Sequence, residues 1–472
     1  MKSILGLILA PFHGVAALVG AFARASFAMR CAVVTALFLA VVFVLATAAM
    51  LFAGEWALLQ LWWSPTKVIA FLLLLVLAPF LVYQTVRLWS DPHMTRWPDI
   101  AQAWGAIGRD LERQGIRIAE TPLFLVCGVT GSDREAAMFA EMKPPPTLVG
   151  SPGSGGPLHA FASADAIYLV VDGVGRAGGV VRGAVDRHER VVSRTAATQA
   201  RREATDRLSA LCRIIARERQ PVVAVNGVLV AVPLDLTVSS LAGTGEEAHF
   251  GYAIAADLQT MVREFGLRMP VTFLGLGVEN DPAIEELFAI LAGQQKPRVN
   301  ADKTVSQPTG REDARGTAFP PGVIPSKDVL VAVAANAVGP LVDQIGEVLL
   351  DPTRTADAAS NRRLLTLLLR IRLRGADQLR EVLEQVFLST TDADDAPLLA
   401  GCYVAALSAD TKRTGFVTGV FDRIAEHQAD LQWTSARWQA DSRALSVAYV
   451  LFGLSLACLL ATGLLIWRGA AH

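Results

Sequence analysis

The loop that follows the apolar run Leu123–Cys127 holds the residues whose types and spacing are best suited to chemistry. Residues 128–135 read GVTGSDRE, and a phosphate-binding loop has the pattern GxxxxGK[ST] at a strand-to-helix turn. In that pattern the second glycine lets the backbone approach the phosphates, the lysine neutralises their oxygens and the hydroxyl holds Mg²⁺. Here Asp133 replaces the second glycine, Arg134 the lysine and Glu135 the hydroxyl residue. The loop therefore has the position of a P-loop without its key residues.

These replacements predict a nucleotide-binding fold that has lost its nucleotide. Arg134 keeps the positive charge but differs from lysine in bulk and shape. The carboxylates of Asp133 and Glu135 would oppose a phosphate at a helix N-terminus that otherwise favours anions. We therefore expect neither GTP nor ATP as a cofactor. The enzymatic alternative is a membrane-tethered NTPase that uses Arg134 and Asp172 in a non-standard site.

Two further segments resemble parts of a GTPase-like site. Residues 172–175 read DGVG after an apolar run, which is the DxxG form of a Mg²⁺ and γ-phosphate sensor, although Asp and Gly are also ordinary turn residues. Residues 276–279 stand where a base-reading NKxD motif is expected, but they read LGVE and carry no lysine. The vestigial nucleotide site that the sequence predicts consists of Gly128, Gly131, Ser132, Arg134, Asp172 and Gly175.

The sequence contains no other catalytic or metal-binding pattern. Neither HExxH nor GxSxG occurs, and the five cysteines form no CxxC pair. Four histidines, His159, His188, His249 and His427, are isolated in the sequence and are interpreted as surface or packing residues. We therefore expect no catalytic residue, no metal site and no disulfide scaffold.

The elements that must position the vestigial site belong to a chain with two contrasting kinds of sequence. It has 472 residues, a formal net charge of −1, 18% charged residues and 52% hydrophobic residues. All but six of the charged residues lie between Arg87 and Arg443. Near-neutral charge argues against a strongly basic nucleic-acid binder, so nucleic acid is not an expected partner. The composition indicates membrane segments around a water-soluble body.

Three uncharged runs are long enough to cross a bilayer. They contain 24, 19 and 24 residues and lie between Arg30 and Glu55, between Lys67 and Arg87, and between Arg443 and Arg468. About 20 apolar residues are needed for one crossing, so the sequence predicts three transmembrane helices. Basic residues lie before the first run and after the second, and such residues are enriched on the cytoplasmic side of a membrane. Their positions predict a cytoplasmic body and a multi-pass protein of the bacterial inner membrane.

The body reads as alternating strands and helices, which predicts an α/β fold with a parallel sheet and helices on both faces. Apolar runs predict strands at Leu123–Cys127, Ala166–Val171, Val228–Val232 and Val271–Leu276. Helical patterns cover Ala253–Phe265 and Ile284–Leu291. The arginines of the later helical region are interpreted as part of a solvent-exposed helical face. The alternative is that they contact anionic lipid head groups or a partner. These arginines are Arg362, Arg363, Arg370, Arg372, Arg374 and Arg380.

The predicted organisation has seven parts. Residues 1–29 are expected to form an interfacial hydrophobic segment, with a span or a signal-like segment as alternatives. The other parts are a transmembrane hairpin at 30–87 (about 31–54 and 68–86), a GTPase-like α/β domain at 88–294, a linker or mobile loop at 295–327, a mainly helical cytoplasmic extension at 328–443, a third transmembrane helix at 444–467 and a short outer tail at 468–472.

Five segments in this order resemble the IcmF-type (TssM-like) inner-membrane proteins of type VI secretion systems. The strand and turn Pro122–Gly128 resemble the family's strand into its P-loop, and Asp172–Arg176 is similar to its DTAGR motif. The other matching segments are Arg219–Pro221 with Asn226–Val230, Gly266–Val271 with Pro282 and Phe288, and Pro397–Tyr403.

The resemblance implies two N-terminal spans, a cytoplasmic GTPase-like domain with helical extensions, and a third span. It also implies an oligomeric scaffold whose partners are other inner-membrane secretion subunits, baseplate proteins and the lipid bilayer. This sequence departs from the family in its P-loop residues, so NTP hydrolysis does not carry over. The sequence also leads us to expect an N-terminal module that lacks the family's periplasmic region. A regulatory membrane anchor outside secretion is the remaining alternative.

Overall fold

The computed structural model describes two compact units, which are considered separately. One unit contains Met1–Arg96 with Ala436–His472, and the other contains Trp97–Ser435, referred to below as the body. The described residues are 27–54, 74, 77–86, 96–129, 132–142, 145–150, 156–171, 173–185, 194–236, 246–294, 314–320, 322–323, 325–352, 357–389, 396–408 and 413–442.

The described part of the first unit is helical. Helix α1 is Phe27–Phe52 and covers most of the first predicted span, and α2 is Leu77–Val86, within the second. Large apolar side chains of both helices, among them Leu37, Phe38 and Phe80, are exposed. The predicted interfacial segment up to residue 26 and the third predicted span lie outside the described residues. The number of transmembrane helices therefore stays a prediction.

Among the helices that the structure describes in full, one is long and apolar enough to cross a membrane. It is Lys327–Leu350, which belongs to the body and is 44% buried there. A core helix of a folded domain has the same length and composition. Val333, Ala337 and Leu341 of this helix are buried, so we assign it to the core of the body.

The body contains ten helices and ten strands in its described residues. The helices are α3 Pro98–Arg113, α4 Ser132–Ala140, α5 Arg176–Val185, α6 Arg194–Glu218, α7 Glu246–Phe265, α8 Ala283–Gln294, α9 Lys327–Leu350, α10 Ala358–Arg370, α11 Ala376–Leu388 and α12 Thr418–Glu426. The strands are β1 Leu123–Cys127, β2 Thr147–Val149, β3 His159–Ala162, β4 Ile167–Val170, β5 Gly227–Pro233, β6 Leu267–Arg268, β7 Pro270–Leu276, β8 Arg315–Ala318, β9 Leu398–Val404 and β10 Gln432–Trp433. A 3₁₀ turn, Val278–Asn280, follows β7, and a π turn, Ile371–Gly375, joins α10 to α11.

Eight strands form one mixed sheet in the order β2-β3-β4-β1-β5-β7-β9-β8. The five central strands from β4 to β9 are parallel, and β3 and β8 pair antiparallel at the two sides. Every residue of β1, β4, β7 and β9 is buried, because helices cover both faces of a parallel sheet. The predicted α/β class is thus confirmed, and the four predicted strands are present with boundaries within one residue.

The sheet extends beyond residue 294, where the sequence placed the end of the α/β domain. Strand β8 comes from the segment predicted as a linker, and β9 comes from the segment predicted as mainly helical. Val271 pairs with Leu399 in the parallel ladder between β7 and β9, and Gly316 pairs with Tyr403 at the antiparallel edge. The region predicted at 328–443 therefore contributes strand β9 to the sheet as well as helices.

A buried arginine connects the amino ends of β1 and β5 through hydrogen bonds to the backbone. The side chain of Arg219 is 1% exposed, and its guanidinium donates to the carbonyl oxygens of Ile118, Thr121 (2.8 Å) and Val223 (3.0 Å). Burial lowers the pKa of Arg219 to about 10, so the group stays charged at neutral pH. Asn226 completes the contact, because its Oδ1 accepts from the backbone N–H of Leu123 at 3.0 Å. Arg219 and Asn226 therefore have a structural role, since their side chains connect the segments before β1 and β5.

Arg219→Met should lower the free energy of unfolding of the body by about 3 kcal/mol, because three buried carbonyl oxygens lose their donor. The measurement is the thermal unfolding midpoint of the full chain in detergent, followed by circular dichroism. Arg202→Met on the exposed side of α6 is the matched control and should leave the midpoint unchanged. Equal midpoints for both variants would contradict the assigned role of Arg219.

Candidate functional site

The candidate site lies at the carboxyl ends of the parallel strands. Strands β1 and β5 are neighbours, and the chain leaves β1 towards β4 but leaves β5 towards β7. Open α/β sheets bind ligands in the crevice formed where adjacent connections diverge in this way. The segments predicted for nucleotide binding follow β1, β4 and β7, so the topology brings them to one edge of the sheet.

The turn after β1 is packed against its neighbours. Gly128 has φ +84°, and a Cβ there would collide with the carbonyl oxygen of Ala231 on β5. The same Cβ would lie 3.2 Å from the ring of Phe250 on α7, and Val129 is buried. Glycine is required here because only it combines the left-handed conformation with this close approach. The glycine that begins the predicted P-loop thus has a packing role in the body.

The remaining predicted site residues fall into two groups. Gly131 and Asp172 lie outside the described residues. Ser132 begins α4, Arg134 lies in its first turn, and Gly175 directly precedes α5. Arg134 and Gly175 thus lie at the first turns of α4 and α5.

The side chain of Glu135 contacts a residue of the sheet. Its side chain is 8% exposed, and its Oε2 forms an ion pair or hydrogen bond with Nε2 of His159 on β3. His159 also lies edge-on to the ring of Phe161, with 6.1 Å between ring centroids. The carboxylate expected to oppose a phosphate is thus occupied by a histidine, and that histidine is partly buried.

Arg134 lies opposite a buried carboxylate that the sequence did not single out. Its Nη2 is 4.0 Å from Oε1 of Glu279, whose side chain is 4% exposed. The other carboxylate oxygen of Glu279 accepts from the backbone N–H of Gly277 at 2.8 Å. Burial raises the pKa of Glu279, while the N–H groups and the charge of Arg134 act in the opposite direction. Arg134, at the position of the P-loop lysine, therefore faces the carboxylate at the end of the NKxD-like segment.

Asp257 of α7 caps the N-terminus of α5. Its Oδ1 accepts from the N–H of Arg176 at 3.0 Å, and its Oδ2 accepts from the N–H of Ala177 at 2.8 Å. A helix N-terminus attracts anions because its first N–H groups have no partner within the helix. Burial raises the pKa of Asp257 to about 6, against the lowering effect of these N–H groups and of Arg176. An internal carboxylate thus occupies the anion-binding end of α5.

Gly175 makes room for this cap. A Cβ at residue 175 would lie 2.6 Å from Oδ2 of Asp257, closer than real Cβ contacts allow. The glycine of the DxxG-like segment is therefore explained by the approach of Asp257. No γ-phosphate is needed to account for it.

Sequence reasoning missed Asp257 and Glu279, although a signal existed for the first. Asp257 shares a helical face with Ile254 and Met261, which are buried, and a lone acid on an apolar face predicts a buried carboxylate that needs partners. Glu279 lies in the 3₁₀ turn after β7 and carries no periodic signal. Across the residues that the structure describes, no cluster of His, Cys, Asp and Glu is arranged to hold a metal ion.

Gly175→Ala should destabilise the body by about 2 kcal/mol, because the new methyl group displaces Asp257 from the two N–H groups. Gly179→Ala is the matched control: it lies in the same helix, and its Cβ would meet nothing within 4 Å. That change should stabilise the body by up to about 1 kcal/mol. Thermal unfolding of the full chain measures both variants.

In the Asp257→Ala background the cost of Gly175→Ala should fall, because the displaced carboxylate is absent. An unchanged cost in that background would show that the methyl group collides with something other than Asp257.

Comparison with known proteins returns no relative of this chain: no protein-family model, no curated protein and no solved structure matches it significantly.

Proposed function

We propose that this chain is a membrane-anchored scaffold subunit of a type VI secretion-like complex in the bacterial inner membrane. Its body would be cytoplasmic, with a P-loop GTPase-like architecture, and would bind partner subunits and baseplate proteins without hydrolysing nucleotide. The proposal rests on the contacts at the carboxyl edge of the sheet, on the distribution of apolar sequence and on the family resemblance of five ordered segments.

One observation carries the non-enzymatic part of the proposal. Charged side chains of the body already occupy or face described parts of this edge of the sheet. Asp257 occupies the N-terminus of α5, Arg134 faces Glu279, and Glu135 binds His159. A nucleoside triphosphate bound at this edge would approach these three acids, and repulsion between like charges costs electrostatic free energy. The arrangement supports a body that is stable without a bound nucleotide.

The membrane part is supported by the apolar helices of the first unit, the long α1 and the short α2. Helix α1 has 26 residues, and Arg30 is its only charged residue. Its exposed Val34, Leu37 and Phe38, together with Phe80 of α2, would face water in a soluble protein. Lipid is the medium that favours such side chains. Three spans with a cytoplasmic body follow from the apolar runs and the basic residues that flank them.

Nucleotide binding tests the non-enzymatic part directly. The full chain in detergent should show no saturable binding of fluorescent GTP or ATP analogues at millimolar concentration with Mg²⁺, and Arg134→Ala should change nothing. The readout is equilibrium fluorescence anisotropy. A micromolar affinity that disappears in Arg134→Ala would instead refute the loss of nucleotide binding and favour the non-standard site.

Partner capture tests the scaffold itself. The tagged full chain, cross-linked in the membranes of its native host and then purified, should retain other inner-membrane subunits and baseplate components, identified by mass spectrometry. An unrelated tagged inner-membrane protein of equal abundance provides the background. Recovery of the same proteins with both baits would refute a specific scaffold role.

A further inference from the structure

The helical layer formed by α9, α10 and the π turn has an exposed apolar side. Helix α10 buries Leu364 and Leu367 against the body, but Leu365 and Leu369, one helical turn apart, are 49% and 46% exposed. Leu373 in the π turn is 62% exposed, and Leu350 at the end of α9 is 82% exposed. Single exposed leucines are ordinary, but a stripe along one helical run indicates a contact surface.

Two arginines of the same stripe have no ion-pair partner among the residues that the structure describes. They are Arg362 and Arg372, both exposed. Their neighbours are engaged: Arg363 binds Glu286 at 3.0 Å and Arg370 binds Asp281 at 2.7 Å. Arg362 and Arg372 are ten residues apart, or about 15 Å along a helix. The stripe therefore offers two available cations with leucines between them.

An apolar groove lies at one end of the stripe. Its volume is about 540 Å³, within the range of small-ligand sites. Leu349, Leu350 and Leu365 line it, with Arg362 and Asn361 beside them. Oδ1 of Asn361 is buried and accepts no hydrogen bond within the described part of the chain. An aliphatic groove beside a guanidinium has the chemistry to hold an anionic amphiphile.

We propose that this surface binds a bilayer that contains anionic lipids. The Leu/Arg surface, as we name it, consists of Leu350, Arg362, Leu365, Leu369, Arg372 and Leu373. Its arginines pair with head-group phosphates, and its leucines and groove accept aliphatic chains. Basic and leucine side chains on one helical face are typical of helices that lie at a membrane surface. The proposal rests on the proposed membrane anchoring and adds a second membrane contact, made by the body.

Two considerations favour lipid over a protein partner. The Leu/Arg surface has no aromatic side chain, whereas the centres of protein interfaces are enriched in Tyr, Trp and Phe. The chain between α2 and the body is also short: Val86 and Trp97 are joined by a segment that spans at most about 40 Å when extended. A body anchored in this way stays close to the bilayer, so a weak contact is populated through a high effective concentration.

The test places a fluorescent label on the surface in the full chain. Leu369→Cys labelled with bimane is reconstituted into vesicles of phosphatidylcholine alone, or of phosphatidylcholine and phosphatidylglycerol in equal parts, each with brominated lipid as quencher. Protein without the added cysteine gives the background. Quenching should require phosphatidylglycerol and should fall at least about fivefold in R362E/R372E, because each basic residue strengthens contact with an anionic surface several-fold.

Two matched controls accompany this measurement. Leu388→Cys is an exposed leucine outside the Leu/Arg surface and should show little quenching in either vesicle. R202E reverses an exposed charge on α6 and should leave the quenching at residue 369 unchanged. Equal quenching in both vesicles, or equal quenching at residues 369 and 388, would overturn the proposal.

An alkaline carbonate wash separates this proposal from the anchoring on which it depends. If the wild-type chain stays in the vesicles but residue 369 is not quenched, the Leu/Arg proposal fails and the anchor stands. If the wild-type chain washes off, the membrane anchoring itself fails.

Discussion

The carboxylate of Asp257 at the start of α5 is the contact around which the carboxyl edge of the sheet is arranged. It joins α7 to α5 through two backbone N–H groups, and it requires a residue without a side chain at position 175. A buried carboxylate is costly unless it is hydrogen-bonded, so this one holds the two helices at a fixed separation. The pair of Glu135 with His159 satisfies the same requirement nearby. The carboxylate of Glu279 is hydrogen-bonded through one oxygen, by the N–H of Gly277, and its other oxygen lies 4.0 Å from Arg134. The edge where an α/β protein would hold a ligand is thus organised by internal charges.

At the amino ends of the strands, the buried side chain that organises the contacts is a cation, not a carboxylate. Arg219 and Asn226 join the loop before β1 to the loop before β5, and both act on backbone groups. The central strands are therefore fixed at both ends by buried polar side chains, while apolar packing holds their middle. Motifs that a sequence comparison would associate with function can have this origin, as Arg219, Asn226 and Gly175 illustrate.

The sequence predicted the central sheet because its strands are continuous apolar runs between turn residues. Leu123–Cys127 is such a run and was placed correctly. Strand β8 could not be found in the same way, since it reads Arg-Gly-Thr-Ala at an edge and is defined by its partner β9. The sequence places the predicted site residues after strands of the sheet but does not specify the contacts that they make. Arg134 and Gly175 were identified, but their partners, Glu279 and Asp257, lie more than 80 residues away along the chain, and no local pattern specifies such pairs.

The place of β9 in the sheet has a consequence for synthesis on the ribosome. About 120 residues separate β7 from β9 along the chain, yet the two strands are hydrogen-bonded neighbours. Until the later strand emerges, β7 is the open edge of a nascent parallel sheet, and unpaired edges promote aggregation. Long-range pairing of this kind also closes slowly. The growing chain thus needs shielding of β7 during translation, whether by helices α8 to α11 as they emerge or by a chaperone.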